Sequence, residues 1–258
     1  MSNEPIFSIT PKILNLLVAI SLRLGEIRAK RPGQISPKLR KENRIRTIHS
    51  TLAIENNTLT LAQVTALLDG KRILGNPVEI KEVTNAAEAY ELMFQLDPNS
   101  IDDLLKAHGI LMNGLIKESG RFRNGNVGIY EGDAVAHVAP PAKFVPQLIA
   151  DLFSWYQEST LTPLLKSAVF HYEFEFIHPF ADGNGRLGRM WHTLLLGQWA
   201  DVFFWLPIEE LIKERQEDYY RALGESDKRA DSTVFIETML EIIRDSLQNL
   251  QDVQDAAE

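Results

Sequence analysis

Between residues 178 and 189 the chain reads His-Pro-Phe-Ala-Asp-Gly-Asn-Gly-Arg-Leu-Gly-Arg, which places a base, a carboxylate and two cations around a turn of small residues. Imidazole is the side chain best poised near neutral pH to take a proton from a hydroxyl, so His178 is the candidate base. Asp182 is a hard oxygen ligand suited to Mg²⁺, which borrows one or two carboxylates and fills its shell with phosphates and waters. Gly183, Asn184 and Gly185 pass cheaply through left-handed backbone, so their amides can converge on an anion. A helix expected from Arg186 onward, with Leu187, Met190, Trp191, Leu194 and Leu195 as its buried stripe, adds its own unpaired N–H groups to that cradle. Arg186 and Arg189 are three apart on one helical face and point toward the same anion. Two cations near a helix N-terminus oppose the macrodipole, a cost that a bound di- or triphosphate relieves.

This run resembles the signature of the Fic (filamentation induced by cAMP) family, His-Pro-Phe-x-Asp/Glu-Gly-Asn-Gly-Arg-x-x-Arg, and matches it at every fixed position. The resemblance implies an all-α fold, a Fic-type helical bundle with a small β-hairpin flap. Its best-known members move AMP from ATP onto a hydroxyl of a protein side chain. By position it implies His178 as general base, Asp182 as the Mg²⁺ ligand, Gly183, Asn184 and Gly185 as the phosphate nest, and Arg186 and Arg189 as clamps on the outer phosphates. Phosphoryl transfer, transfer of another nucleotide or a phosphocholine, removal of AMP and a non-catalytic nucleotide-binding regulatory module remain alternatives.

Upstream, Thr51-Leu52-Ala53-Ile54-Glu55-Asn56 puts a hydroxyl and a carboxylate four apart on one side of a helix. Beside a Fic signature this resembles the family's inhibitory-helix motif, Ser/Thr-x-x-x-Glu-Gly/Asn. The resemblance implies that Glu55 pairs with the second signature arginine, Arg189. A carboxylate there removes a cation that the γ-phosphate needs and sets a like charge in its place. The expected resting state is autoinhibited.

Bulk properties narrow the classes. A chain of 258 residues with 45% hydrophobic and 24% charged residues is ordinary for a globular protein able to bury a sizeable core. A formal net charge of -8 gives no general attraction to nucleic acid or to an anionic membrane. The absence of cysteine removes disulfides, thiolate metal sites and a cysteine nucleophile together, and fits a cytoplasmic protein. The apolar run from Ile13 to Leu22 is too short to span a bilayer and lacks the flanks of a secretion signal.

The elements that must position the site follow from caps and periodicity. Amphipathic spacing predicts a first helix through Ile13, Leu17, Ile20, Leu24 and Ile27, and a second from Lys38 to Ile54. Thr60 with Gln63 forms a capping box, and Gly70 ends the short helix it opens. Further helices are expected from the Asn76-Pro77 loop to about Leu96, from Ser100 to about Lys117, and from Pro141 to about Glu158. Thr162-Pro163 opens the helix that delivers His178, on which His171 and Glu175 read as supporting groups and, earlier, His108 as structural. Residues 120–141 read as a hairpin, with strands Val127–Tyr130 and Val135–Val138 and a turn near Glu131-Gly132-Asp133. This segment resembles the Fic flap, which implies a target protein with a hydroxyl side chain docked at about 127–138 by main-chain pairing. Arg121, Arg123 and His137 read as solvated loop residues, with target or nucleotide contact as the alternative.

Pro207 is expected to open a helix carrying Tyr219 and Tyr220. Family helices at this place help cover the adenine, so one of the two is a candidate for stacking on the base and the other reads as core. A last amphipathic helix runs from about Ser232 to Leu250. The expected division is a helical region 1–97 with the inhibitory helix at about 38–56, a catalytic core 98–230, and a C-terminal helix with an acidic tail, 231–258. Self-association is a further expectation from the resemblance.

Overall fold

In the computed structural model, which describes residues 4–30, 35–131 and 134–255, helices carry nearly all the regular structure. Their starts are written in local chemistry. The Ser36 hydroxyl accepts from the Leu39 N–H at 3.2 Å and Pro37 takes the first position of α2 (Pro37–Ile54). Thr60 and Gln63 close a reciprocal capping box on α3 (Leu61–Leu68). Asn76 followed by Pro77 starts α4 (Pro77–Leu92), and Ser100 caps α5 (Ile101–Leu111) through the Asp103 N–H. α5 is shorter than its sequence suggests, because Gly114 at φ 72° turns the chain soon after it.

The centre of the molecule is the antiparallel pair α7 (Pro163–Ile177) and α8 (Asn184–Trp199), joined by the short loop that contains His178. Leu164, Leu165, Ala168, Val169, Phe170, Tyr172, Phe174 and Ile177 are all buried, so α7 has no wet face and must sit in the middle of a bundle. One apolar cluster forms where α2, α4, α5 and α6 (Val145–Glu158) close over one side of this pair, around Trp191, Phe170, Tyr90 and Met93. A second joins α1 (Pro11–Lys30), α7, α9 (Ile208–Glu214), α10 (Gln216–Arg229) and α11 (Thr233–Asp255), around Phe235, Phe203, Ile236 and Ile243. α1 lies along α11, so residues from the first hundred serve both clusters. The helix expected after Pro207 is two helices, α9 and α10, broken at Arg215.

Strands β1 (Gly128–Glu131) and β2 (Ala134–Val138) pair antiparallel, with Gly128 opposite Val138 and an irregularity between Ile129 and Tyr130. Gly132 and Asp133 of the expected turn lie outside the described residues, as does the side chain of His137. No helix among the described residues is long and apolar enough to cross a membrane.

α5 reaches the central loop through His108. The Gly120 N–H donates to His108 Nδ1 at 2.9 Å, so Nε2 carries the proton and donates to the Asp182 carbonyl at 2.9 Å. The ring stacks on Phe180 with centroids 3.7 Å apart. Burial, aided by the Arg186 charge, pushes His108 down to about 4. An unfolded histidine titrates near 6.5, so as pH falls between the two values the unfolded chain takes the proton first and stability drops. His108 alone should cost about 1 kcal/mol of unfolding free energy between pH 7.5 and 5.5. Urea unfolding of wild type and His108→Gln at both pH values checks this, since the gap between them should shrink by that amount at the lower pH.

Candidate active site

α7 ends at Ile177, and His178 takes up a left-handed conformation, φ 49°, that turns the chain out of the helix. For a residue with a Cβ this costs on the order of 1 to 2 kcal/mol, so something must hold it. Arg123 does. Its guanidinium donates to the carbonyls of Ile177 at 3.3 Å and His178 at 2.7 Å, while its own main-chain N–H donates to the Pro179 carbonyl at 3.0 Å. Three successive carbonyls, from the last helical residue onward, are thus satisfied by one buried residue. The expectation of a solvated Arg123 is corrected: burial pushes its guanidinium down in pKa, and its remaining bonds run to the carbonyls of Gly125 and Pro140.

α8 begins at Asn184, two residues earlier than the sequence suggests, and of the Gly-Asn-Gly run only Gly183 is left-handed, φ 83°. The Asn184 side chain points back into the loop, accepting from the Phe180 N–H at 2.8 Å and donating to the Phe180 carbonyl at 2.9 Å. Its part in any nest is therefore through its amide, and its side chain is the loop's brace. The N-cap residue Gly183 has no side chain to cap α8 and its own N–H donates to Asp182 Oδ1 at 2.6 Å, which leaves the amides of Asn184, Gly185 and Arg186 for an anion. A carboxylate already lies there: a Cβ on Gly185 would stand 2.6 Å from Glu55 Oε1 and 2.9 Å from Arg189 Nη1. Glycine at 185 leaves room for an anion to come that close.

Each signature arginine has its own carboxylate. Arg189 Nη2 donates to Glu55 Oε1 at 2.7 Å and to the Thr51 carbonyl at 3.1 Å, and Nε donates to Thr51 Oγ1 at 3.0 Å. Burial works to lower the Arg189 pKa; Glu55 first, and Tyr219 and Tyr220 after it, together more than offset this and the net shift is upward. Arg186 Nη1 donates to Glu82 Oε1 and Nη2 to Asp182 Oδ1, both at 2.9 Å. The two cations are thus held by different acids in this state, with Glu55 on Arg189 as the resemblance implied. Asp182 stays open, its side chain 56% exposed, while Arg186 is 6% and Arg189 2% exposed.

Glu55 itself closes α2, and Asn56 follows it in left-handed backbone, φ 67°. Lys213 Nζ donates to the Ala53 carbonyl at 2.9 Å and Gln216 Nε2 to the Ile54 carbonyl at 3.2 Å, so α9 and α10 cap the helix that presents the carboxylate. Of the two tyrosines, Tyr219 is core: it is 1% exposed and its hydroxyl bonds His171 Nε2 at 2.8 Å. Tyr220 is 45% exposed, close enough to Glu55 for that charge, after burial, to help push it up to about 12. Glu82, Asn57 and the role of Arg123 gave no signal in the sequence, because each acts on a partner far along the chain.

The sequence pattern of the Fic/DOC family matches residues 98–196. The chain is 33% identical over 198 residues to the protein adenylyltransferase fic-1 of Caenorhabditis elegans, covering 72% of this chain and 37% of that protein. It is 33% identical over 175 residues to the protein adenylyltransferase Fic of Drosophila melanogaster, covering 62% of this chain and 33% of that one. It therefore spans little more than a third of the curated relatives it matches. A crystal structure of a Fic family protein from Desulfovibrio desulfuricans G20 superposes with a TM-score of 0.93 at 51% identity, covering 97% of this chain and 77% of that one. Residues 134–508 of C. elegans Fic-1 superpose with a TM-score of 0.74 at 21% identity, covering 96% of this chain and 76% of that one, which shows a common fold. With half its residues shared with a solved relative over nearly its whole length, the chain belongs to the Fic family.

Proposed function

We propose that this protein is an autoinhibited adenylyltransferase, moving AMP from ATP to a Ser, Thr or Tyr hydroxyl of a target protein. The observation that carries the reading is a carboxylate, Glu55, bonded to the second signature arginine and lying against Gly185 in the first turn of α8. A site that accepts an anion between a glycine backbone and a buried cation suits a phosphate, and Glu55 occupies the place a phosphate would take.

ATP and Mg²⁺ fit the residues present. The outer phosphates would lie on the first amides of α8 between Arg186 and Arg189, and the exposed carboxylate of Asp182 would take the metal, with phosphates and waters completing its shell. Bound there, Mg²⁺ would neutralise charge on the phosphates and on the departing pyrophosphate. His178, held at the end of α7, takes the proton of the target hydroxyl. The hydroxyl oxygen then forms a bond to the α-phosphorus as the bond from that phosphorus to the β-phosphate oxygen breaks, and Arg186 and Arg189 hold the pyrophosphate that leaves. Tyr220, exposed beside Glu55, is the aromatic available to the base. The ribbon β1–β2 supplies the edge on which a target segment pairs.

While Glu55 holds Arg189, the triphosphate loses a cation and meets a like charge, and misplacement of the reacting phosphorus by about 1 Å costs on the order of a hundredfold in rate. Two outcomes are expected. In the Glu55→Gly background, His178→Ala should leave ATP binding as it is yet cost about a hundredfold or more in labelled-AMP transfer, and retention of full transfer removes His178 as base. Glu55→Gly should raise ATP affinity and self-modification by about tenfold or more, and a variant as inert as the parent removes Glu55 as the block.

A further inference from the structure

We infer that Glu82, in α4, is a positioning residue that aims Arg186 at the phosphates and, through Asn57, holds the turn that carries Glu55. This rests on the reading of the site as an ATP site under Glu55 control.

Both oxygens of the Glu82 carboxylate are engaged. Oε1 accepts from Arg186 Nη1 at 2.9 Å and Oε2 accepts from Asn57 Nδ2 at 2.8 Å. The rest of α4 is anchored by Val83, Ala86, Ala89, Tyr90 and Met93 just beyond it, all with no exposed surface, so the carboxylate projects from a fixed base. Arg186 has a second acid, Asp182, on its other arm at 2.9 Å. The two acids differ in setting: the Glu82 side chain is 17% exposed and that of Asp182 is 56% exposed. An exposed carboxylate exchanges readily for a phosphate or turns toward a cation. An enclosed one does not, because withdrawing it strands a buried guanidinium. Glu82 is thus the partner that stays when Asp182 is taken up elsewhere. It leaves one prong of the guanidinium fork anchored and the other free for the nucleotide.

The other half of the link runs through Asn57, two residues after Glu55. Its side chain donates to the Glu79 carbonyl at 3.2 Å as well as to Glu82, and its Oδ1 accepts from the Leu59 N–H at 3.1 Å. Thr58 adds its N–H to Glu79 Oε1 at 2.6 Å. The turn after the left-handed Asn56 is therefore sewn to α4 at the carboxylate that also holds Arg186. Glu82 serves both states of the site: with Glu55 seated it steadies the resting turn, and with Glu55 gone it steadies the phosphate grip.

These two services separate by variant. Binding of ATP and of AMP is measured by titration calorimetry on wild type, Asn57→Ala, Glu55→Gly, Glu55→Gly with Glu82→Gln, and Glu55→Gly with Asn57→Ala. In the Glu55→Gly background, Glu82→Gln should weaken ATP by about tenfold and leave AMP within about twofold, because Arg186 grips only the outer phosphates. Asn57→Ala should tighten ATP several-fold in the otherwise wild-type chain and change nothing once Glu55 is already gone. Equal or tighter ATP binding on adding Glu82→Gln overturns the inference. So does a parallel loss of AMP, which marks general damage, and so does an Asn57→Ala chain that binds ATP no better than wild type. If no protein in the set binds ATP, the adenylyltransferase reading itself fails and takes this inference with it. If Glu55→Gly binds ATP without regard to Glu82, only the inference fails.

Discussion

A buried guanidinium needs an anion, and in this fold the arrangement of four helices follows from that need at Arg189. The side chain sits under the first turns of α8 with 2% of its surface exposed, where an uncompensated charge would cost several kcal/mol. Glu55 supplies the anion across 2.7 Å, and Thr51 adds a hydroxyl and a carbonyl one helical turn earlier. α2 must therefore end close to where α8 begins, and α9 and α10 fix that end by capping its carbonyls with Lys213 and Gln216. Gly185 is part of the same constraint, since a side chain there would fill the space the carboxylate uses.

Beneath this charged layer burial works against charge on the polar groups. Burial drives His192 down to about 3 and His171 well below its usual range, with the His192 ring adding to the effect on His171. Burial likewise pushes Glu175 up to about 7, partly relieved by Arg189 and reinforced by Glu55. Glu209, also raised by burial, accepts from the Tyr90 and Thr193 hydroxyls. Hydrogen bonds within such a layer contribute orientation. His171 thereby ties α7 to α10 through the Tyr219 hydroxyl, and Glu209 ties α9 to α4 and α8. α7 and α8 also approach closely at Gly188, where any Cβ would run into Glu175 and Phe174.

Much of the helical frame was legible in the sequence because helix starts are local. Thr60 with Gln63 and Ser100 with Asp103 each declare themselves within four residues. The chemistry of residues 178 to 189 was legible for the same reason, and the four-residue spacing of Thr51 and Glu55 does place both on Arg189. What stayed hidden depends on distant partners. Asn184 looks like a nest residue until Phe180 is seen to occupy both ends of its amide. Tyr219 and Tyr220 are adjacent and chemically alike, and only the packing of His171 against one of them decides which is interior. Glu82 lies 104 residues from Arg186 in an unexceptional helix, so nothing nearby marks it. Arg123 stands in a glycine-rich stretch whose composition suggests solvent, yet it is enclosed.

Arg123 also sets how the neighbourhood of His178 responds to mechanical disturbance. One planar group is bonded at once to the carbonyl of His178 and to that of Pro140, two residues beyond the last residue of β2. A guanidinium does not stretch, and its bonds to carbonyls carry charge on the donor side. The ribbon's exit and the imidazole's main chain are consequently the two arms of one stiff yoke. A tug on the ribbon end is delivered through that group to the backbone beneath the ring.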